Sequence, residues 1–251
     1  MKLRAAWHIA ALLGAGLADP ARAAEPAATP YRPSVSNPAD LSAPGHFELE
    51  AGWQKAGGDG SRSGFPWLLK HAFTENFGIL LGGEAAVLQR EATGQRRRGY
   101  GDSSLALKFR RPLAGTSALG LEVGVKLATA ADGLGSGDHD YSINGIYSDD
   151  YGPLRGDLNL TYTRMGTAAT DESRHQLAWA AGFSKALGER WGATAELSGA
   201  TRRGTRASTQ FLAAASYNVS PTLVLDAGAA TPLAGNAPGW TAFLGFTWLL
   251  R

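Results

Sequence analysis

The chain has 251 residues with no cysteine, 33 glycines, 18% charged residues and a formal net charge of +2. The lack of cysteine excludes a disulfide scaffold, and the near-neutral charge gives no general argument for nucleic-acid binding. The length is compatible with a single β-domain.

The N-terminus has the three parts of a secretory signal peptide. A basic start (Met1–Arg4) precedes an apolar segment (5–18), and Ala21-Arg22-Ala23 fits the small-x-small cleavage pattern. The apolar segment has about fourteen residues, fewer than the roughly twenty of a membrane-spanning helix. We therefore predict an exported chain with a signal peptide at 1–23. No other stretch could span as a helix, so any membrane span must be a closed sheet.

The next stretch, 24–45, is rich in alanine and proline. Such a composition is typical of an extended segment, and it predicts a poorly ordered periplasmic lead-in. The alternative is a short plug folded into the lumen of a barrel. The prolines are Pro26, Pro30, Pro33, Pro38 and Pro44.

From residue 46 onward, apolar and polar residues alternate with a period of two, which indicates extended strands. The pattern is clearest between 99 and 129, where Leu121 and Val123 flank Glu122. Twelve strands follow from it, in the regions 46–54, 64–73, 77–88, 102–110, 119–127, 140–148, 154–164, 175–185, 191–200, 211–217, 223–227 and 240–250.

The connections between these strands are of two alternating kinds. Those near 75, 114, 151, 188 and 220 are short, and those near 58, 93, 133, 168, 204 and 235 are longer. An even strand count with alternating short turns and long loops is typical of a bacterial outer-membrane barrel. We predict an all-β, antiparallel up-and-down transmembrane barrel over 46–251. Its aromatic-rich last strand (240–250) is the kind of signal that barrel-assembly machinery recognises.

In such a barrel the apolar face meets lipid and the polar face lines the lumen. Both signs of charge occur on the predicted lumen face, either as an ion-pair lattice that closes the barrel or as a polar path for a small solute. A barrel of about twelve strands is intermediate in size between filled eight-stranded barrels and open porins, so its size does not show whether the lumen is open or closed. The lumen-lining candidates are Glu48, Glu50, Glu84, Asp102, Lys108, Arg110, Glu122, Lys126, Arg155, Asp157 and Glu196.

Two basic runs, 96–98 and 202–203, fall in predicted long loops. They are either solvated or in contact with the phosphates of lipopolysaccharide.

The sequence contains no strong motif for catalysis or for a cofactor. Asp138-His139-Asp140 could be a metal cluster, but adjacent loop residues more often point apart on a solvated turn, so no metal is predicted. An outer-membrane phospholipase would need a serine beside a histidine on the lipid face. His175 is predicted to face outward and Ser198 inward, so we predict no enzyme and keep a lipid-modifying enzyme as the less favoured alternative.

Several pieces of the sequence resemble the outer-membrane family named for the meta-cleavage pathway of phenol degradation, whose members are often called transporters. The matching pieces are Gly45-His46-Phe47-Glu48-Leu49-Glu50-Ala51-Gly52, Gly82-Gly83, Gly101-Asp102-Ser103-Ser104-Leu105-Ala106-Leu107-Lys108 and Gly135-Ser136-Gly137-Asp138. Where this chain has 127–130 as Leu-Ala-Thr-Ala, the family usually has Leu-Pro-Thr-Gly. The resemblance implies a barrel with a transport role, and it supplies no catalytic residues.

The combined expectation is a Gram-negative outer-membrane barrel that gives passage to small molecules, including aromatic or hydrophobic compounds. Its expected partners are outer-membrane lipid and lipopolysaccharide, barrel-assembly machinery and a small solute, with no nucleic acid. The alternative from a different class is a closed structural or surface-interaction barrel.

Overall fold

The computed structural model describes residues 25–58, 60–235 and 239–250. The predicted signal peptide lies outside the described residues. The strands are β1 (Phe47–Gly57), β2 (Ser61–Thr74), β3 (Phe77–Arg90), β4 (Arg96–Gly99), β5 (Ser103–Pro112), β6 (Ala118–Leu127), β7 (Asp140–Tyr151), β8 (Leu154–Arg164), β9 (His175–Leu187), β10 (Trp191–Arg202), β11 (Ser208–Ser220), β12 (Leu223–Ala234) and β13 (Thr241–Leu250).

Twelve of these strands close into one antiparallel barrel. Each strand pairs with the next along the chain, β3 pairs with β5, and β13 returns to pair with β1. The short β4 lies outside this cycle and pairs only with the end of β3. The prediction of an all-β barrel of about twelve strands is confirmed. No helix among the described residues is long and apolar enough to span a membrane.

The two faces of the barrel wall differ sharply in chemistry. Leu121 and Val123 are 41% and 43% exposed on the outside, whereas Glu122 between them is 8% exposed and faces the lumen. The same alternation carries large apolar side chains to the outer face around the whole barrel, including Leu107, Ile143, Leu160, Leu177, Phe211, Leu225 and Leu244. An apolar outside with charges inside is the arrangement of a membrane barrel and the reverse of a soluble protein.

The connections fall at two ends of the barrel. The short turns follow β2, β5, β7, β9 and β11, and positive φ angles at Gly152 (64°) and Gly188 (83°) explain why glycine stands in two of them. The longer connections lie at the other end, with one difference from the prediction. The first of them, 58–60, is short because β1 and β2 extend further than their alternation pattern indicated.

Aromatic rings form a chain on the outer face at the short-turn end. Phe47, His71, Phe73, Phe77 and Phe109 follow one another with centroid separations between 4.5 and 5.5 Å. Aromatic side chains of this kind form girdles where a barrel wall passes from hydrocarbon to water.

Candidate functional site

Residues 25–45, called the inner segment from here on, lie inside the barrel. Tyr31, Ser36 and Ala39 are 3%, 2% and 0% exposed. The prediction of a poorly ordered periplasmic lead-in is therefore wrong for this segment. The alternative, a plug folded into the lumen, agrees with the structure. The physical reason is that the wall supplies buried acceptors for the backbone N–H groups of this proline-rich stretch.

The inner segment follows the lumen wall through one complete circuit. The N–H of Tyr31 donates to Glu50 on β1, and Arg32 forms a salt bridge with Asp226 on β12. Further along, Ser36 contacts β10, the N–H of Ala39 donates to β7, and Pro44 forms a bridge with β2. This order matches the order of strands around the barrel, so the segment forms a ring inside it.

A cluster of three buried charges lies on β1 and β2. Lys70 is 1% exposed and forms salt bridges with Glu48 and Glu50, at 2.5 Å from an Oε of Glu50. Its ammonium group also donates to the carbonyl of Thr29, at 2.6 Å. Because buried charges are costly unless paired, this triad holds the inner segment firmly against β1 and β2.

A second buried pair lies on β5 and β6. Lys108 is fully buried and lies 2.9 Å from an Oε of Glu122, and it donates to the carbonyl of Pro38. The ammonium groups of Lys70 and Lys108 lie 3.7 and 4.1 Å from the centroid of the Tyr31 ring, which therefore contacts both cations. We call the lumen face of β1, β2, β5 and β6 the charged wall.

Asp40 of the inner segment joins the next group of charges. It accepts from Arg110 on β5 at 2.9 Å and forms a salt bridge with Arg155 on β8. Arg155 also lies 3.4 Å from Asp157, and Ser148 donates to the same Asp157 carboxylate at 2.5 Å.

The remaining predicted lumen residues lie near the long-loop end. Lys126 lies 2.6 Å from Asp140 and 3.6 Å from Asp102, and Glu84 forms a salt bridge with Arg62. Asp102 lies just before β5 rather than in a strand. Partial burial raises the pKa of Asp102, but hydrogen bonds from the N–H groups of Ala130 and Ser136 and the charge of Lys126 outweigh this and lower it below its usual value.

The opposite side of the lumen is built from smaller side chains. On β9 to β12 the lumen face carries three charges, Glu196, Asp226 and Arg202. Glu196 and Asp226 bind the inner segment, and Arg202, at the long-loop end of β10, pairs with Glu172. Glu196 accepts from Ser36 N and Oγ, each at 2.8 Å. We call this face the small-residue wall; its members are Ala178, Ala180, Gly182, Ser184, Thr194, Glu196, Ser198, Ala200, Gln210, Leu212, Ala214, Ser216, Asp226, Gly228 and Ala230.

One glycine of this wall allows the inner segment to approach closely. A Cβ at Gly182 would lie 2.3 Å from Ser36 Oγ and 3.5 Å from Ser36 Cβ. A Cβ here would force Ser36 Oγ to turn away from Gly182, whereas its contact with Ser36 Cβ would be an ordinary one.

Two cavities lie on either side of the inner segment. The upper cavity, of about 640 Å³, is towards the long loops, and the lower cavity, of about 860 Å³, is towards the short turns. Arg32, Pro33 and Ser34 line both cavities, so the inner segment separates them at this point. The walls of the lower cavity come from β7 to β12 and their short turns, and none from β1 to β6.

The upper cavity has an apolar part and a polar part, and the charged side chains of Arg32 and Glu122 also line it. Leu212, Ala230 and Phe243 form a cluster on β11, β12 and β13. Across the lumen, Asn144 and Asn159 present amide groups, joined by a hydrogen bond of 2.9 Å. The cavity can therefore contact both an apolar ring and a hydroxyl group of one small molecule.

A family model described as "Putative MetA-pathway of phenol degradation" matches residues 33–250. The chain belongs to this family. The match confirms the resemblance seen in the sequence, and it includes most of the inner segment as well as the barrel. A comparison with curated protein sequences finds no match.

Solved structures of channels and porins have a similar fold. An outer membrane channel from Pseudomonas putida F1 is 13% identical with a TM-score of 0.69, covering 84% of this chain and 97% of that chain. The NanC porin is 8% identical (TM-score 0.61; 81% and 100% covered), and the CymD monoaromatic hydrocarbon channel is 10% identical (TM-score 0.51; 83% and 90% covered).

The list of lumen residues predicted from the sequence lacks several charged residues that hold the inner segment in place. Lys70 and Asp226 have the parity of lumen residues, so the alternation could have identified them. Arg32 and Asp40 could not be identified, because nothing in a proline-rich stretch indicates that it lies inside the barrel.

The residues considered for metal binding or catalysis have other contacts. His139 accepts a hydrogen bond from the N–H of Ala128, and Asp140 pairs with Lys126. His175 contacts Tyr162 on the outer face, whereas Ser198 is buried in the lumen and accepts from Gln210. The described residues therefore do not bring this serine and histidine together.

Proposed function

We propose that this chain is an outer-membrane channel that gives passage to small neutral molecules. The solute passes along the small-residue wall, past an inner segment that stays in place and forms the narrowest point. The main support for this proposal is that two cavities lie on either side of the same three residues, Arg32, Pro33 and Ser34.

The membrane location is part of this proposal. The apolar outer face and the aromatic rings at the short-turn end support it, as do the outer-membrane channel and porin folds. The signal peptide over 1–23 would direct export, and assembly machinery would recognise the last strand. Short turns would then lie in the periplasm and long loops outside the cell.

The solute class follows from the upper cavity. An apolar cluster that includes Phe243 faces two amide side chains, which suits a small aromatic molecule with a hydroxyl group, such as a phenol. The family description and the name of the monoaromatic hydrocarbon channel support the same class.

Single-channel current in a planar bilayer tests both claims. We expect the wild-type protein to conduct ions and added phenol to interrupt the current, because the solute occupies the upper cavity. An aliphatic polyol of similar size should interrupt the current less.

Two variants of β13 test the role of Phe243. Phe243→Leu should weaken the block by phenol, and Phe246→Leu, on the outer face of the same strand, should leave the block unchanged. Conduction without any phenol effect would refute the solute class.

A closed structural barrel is the second candidate. The observation that favours it is the ring of contacts between the inner segment and the wall, with fully buried ion pairs. A wild-type protein that never conducts would establish this candidate and overturn the channel.

A further inference from the structure

The strand that lies outside the barrel cycle builds a separate surface at the long-loop end. β4 pairs with the last residues of β3, after the pairing of β3 with β5 has ended at Gly83. β2 continues alongside as far as Ser61. Together with the end of β1, which pairs with β2 over the same rows, these strand ends form a four-stranded extension above the barrel rim.

The register identifies the face on which each arginine lies. Leu88 is 61% exposed and therefore marks the outer face, and its partner across the strands is Arg98. Arg90 is two residues from Leu88 and stands opposite Arg96. Since opposite residues share a face, Arg90, Arg96 and Arg98 form one exposed cluster, which we call the outer basic patch.

The inner face of the extension is charge-balanced and the outer face is not. Arg97 lies between Arg96 and Arg98, points to the other face and forms a salt bridge with Glu91 at 3.3 Å. Within the described residues, the three arginines of the outer basic patch have no carboxylate within salt-bridge distance. Glu91 therefore neutralises Arg97 on the inner face and leaves the arginines of the outer face without a carboxylate partner.

Such a patch is unfavourable without an anion. Like charges directly opposite each other on neighbouring strands, about 5 Å apart, destabilise a sheet. Guanidinium groups present paired N–H donors that match the oxygens of a phosphate, so a phosphate between them would turn repulsion into attraction.

The position of the patch specifies the source of the phosphate. Leu88 and Tyr100 are exposed beside it, and Phe65 on β2 is 41% exposed nearer the barrel. Lys55 lies in the same cross-strand row as Leu88 and Arg98, through Ser63, with its ammonium group 5.9 Å from the centroid of the Trp240 ring. Charge directly above apolar and aromatic surface is where lipid headgroups lie.

We propose that the outer basic patch binds the phosphate groups of lipid A, the phosphorylated glycolipid of the outer leaflet. This proposal rests on the outer-membrane placement in the proposed function, but not on conduction through the lumen.

The test uses the full-length mature chain in neutral detergent. Its thermal unfolding is followed while diphosphorylated lipid A, dephosphorylated lipid A or phosphatidylglycerol is added. Diphosphorylated lipid A should raise the unfolding temperature of the wild type, because a ligand that binds only the folded state stabilises it. The triple variant Arg90→Gln, Arg96→Gln, Arg98→Gln should bind at least tenfold more weakly. Arg111→Gln, an outward arginine at the short-turn end opposite Leu119, should bind as the wild type does.

Equal affinity of the wild type and the triple variant would overturn the proposal. So would equal stabilisation by dephosphorylated lipid A or by phosphatidylglycerol, because the site would then not read the phosphates of lipid A. Heat-modifiable gel migration verifies that each variant is folded. Conductance measured on the wild type separates this proposal from the channel. A wild type that conducts but does not bind lipid A refutes the patch alone, and one that binds lipid A but never conducts refutes the channel alone.

Discussion

The two sides of the lumen hold the same inner segment by different means. On the charged wall, Lys70 and Lys108 are buried in ion pairs and contact one tyrosine ring of the segment. On the small-residue wall, Glu196 binds the segment through N–H and hydroxyl donors, and Asp226 binds Arg32 of the segment itself, so no lysine of the wall takes part. The lower cavity adjoins the small-residue wall and the upper cavity takes most of its lining from β7 to β13.

In the proposed channel, one side of the lumen anchors the inner segment and the other side gives passage to the solute. Buried ion pairs need close, fixed partners, so contacts with the segment occupy much of the charged wall. Ala106, Glu122 and Gly124 of this wall also line the upper cavity. Small side chains on the opposite wall leave volume beside the segment. In the proposed channel, a barrel of twelve strands is in this way both filled and permeable.

The largest effect is expected on the charged wall. Lys70→Met leaves Glu48 and Glu50 without their cation, and breaking a buried pair costs about 3–5 kcal/mol. The unfolding temperature, measured by heat-modifiable gel migration, should fall steeply. Lys126→Met, a partly exposed lysine near the rim, is the matched control and should have a much smaller effect. Equal effects would remove the distinction between the buried wall and the rim.

An intermediate effect is expected at the anchor on the small-residue wall. Glu196→Gln keeps an oxygen acceptor but loses the charge that strengthens three hydrogen bonds, and charge-assisted hydrogen bonds contribute about 1.5–3 kcal/mol each. Because the retained oxygen still accepts, we expect a loss within that range for the whole change. A loss as large as that of Lys70→Met would show that the two walls anchor the segment equally.

Bulk on the small-residue wall should affect conduction rather than stability. Thr194→Trp places a large ring in the lower cavity and should reduce single-channel conductance several-fold. Ala195→Trp adds the same ring to the outer face one residue later and should leave conductance unchanged. If Thr194→Trp conducts normally, the passage does not follow this wall.

The smallest effect is expected near the rim, at Asp102. Its pKa is lowered in the folded protein, so its contribution to stability is present above the unfolded pKa of about 3.9 and is lost as pH falls through the lower folded value. The difference in unfolding temperature between wild type and Asp102→Asn should be constant above about pH 5 and shrink below about pH 4. A difference that grows on acidification would contradict this sign.

The barrel could be predicted from the sequence because the pattern that indicates it is formed by residues close together in the chain. A period of two assigns each residue to a face, as for Leu121 and Glu122, and the alternation of turns gives the strand count. The strand extension could not be predicted, because β4 is four residues long and consists mostly of arginine. The sequence allows a plug in the lumen only as an alternative for the inner segment, since Tyr31 and Ser36 are buried through partners distant in sequence.

The central claim is that solute passes while the inner segment stays in the lumen. The chain has no cysteine, so a pair introduced by Ser36→Cys and Gly182→Cys would be the only one. Their Cβ atoms would lie 3.5 Å apart, within the range of a disulfide. Single-channel conductance of this variant should be the same when it is oxidised, with the segment locked to β9, and when it is reduced. A channel that conducts only when reduced would show that the segment must leave, and would contradict the account.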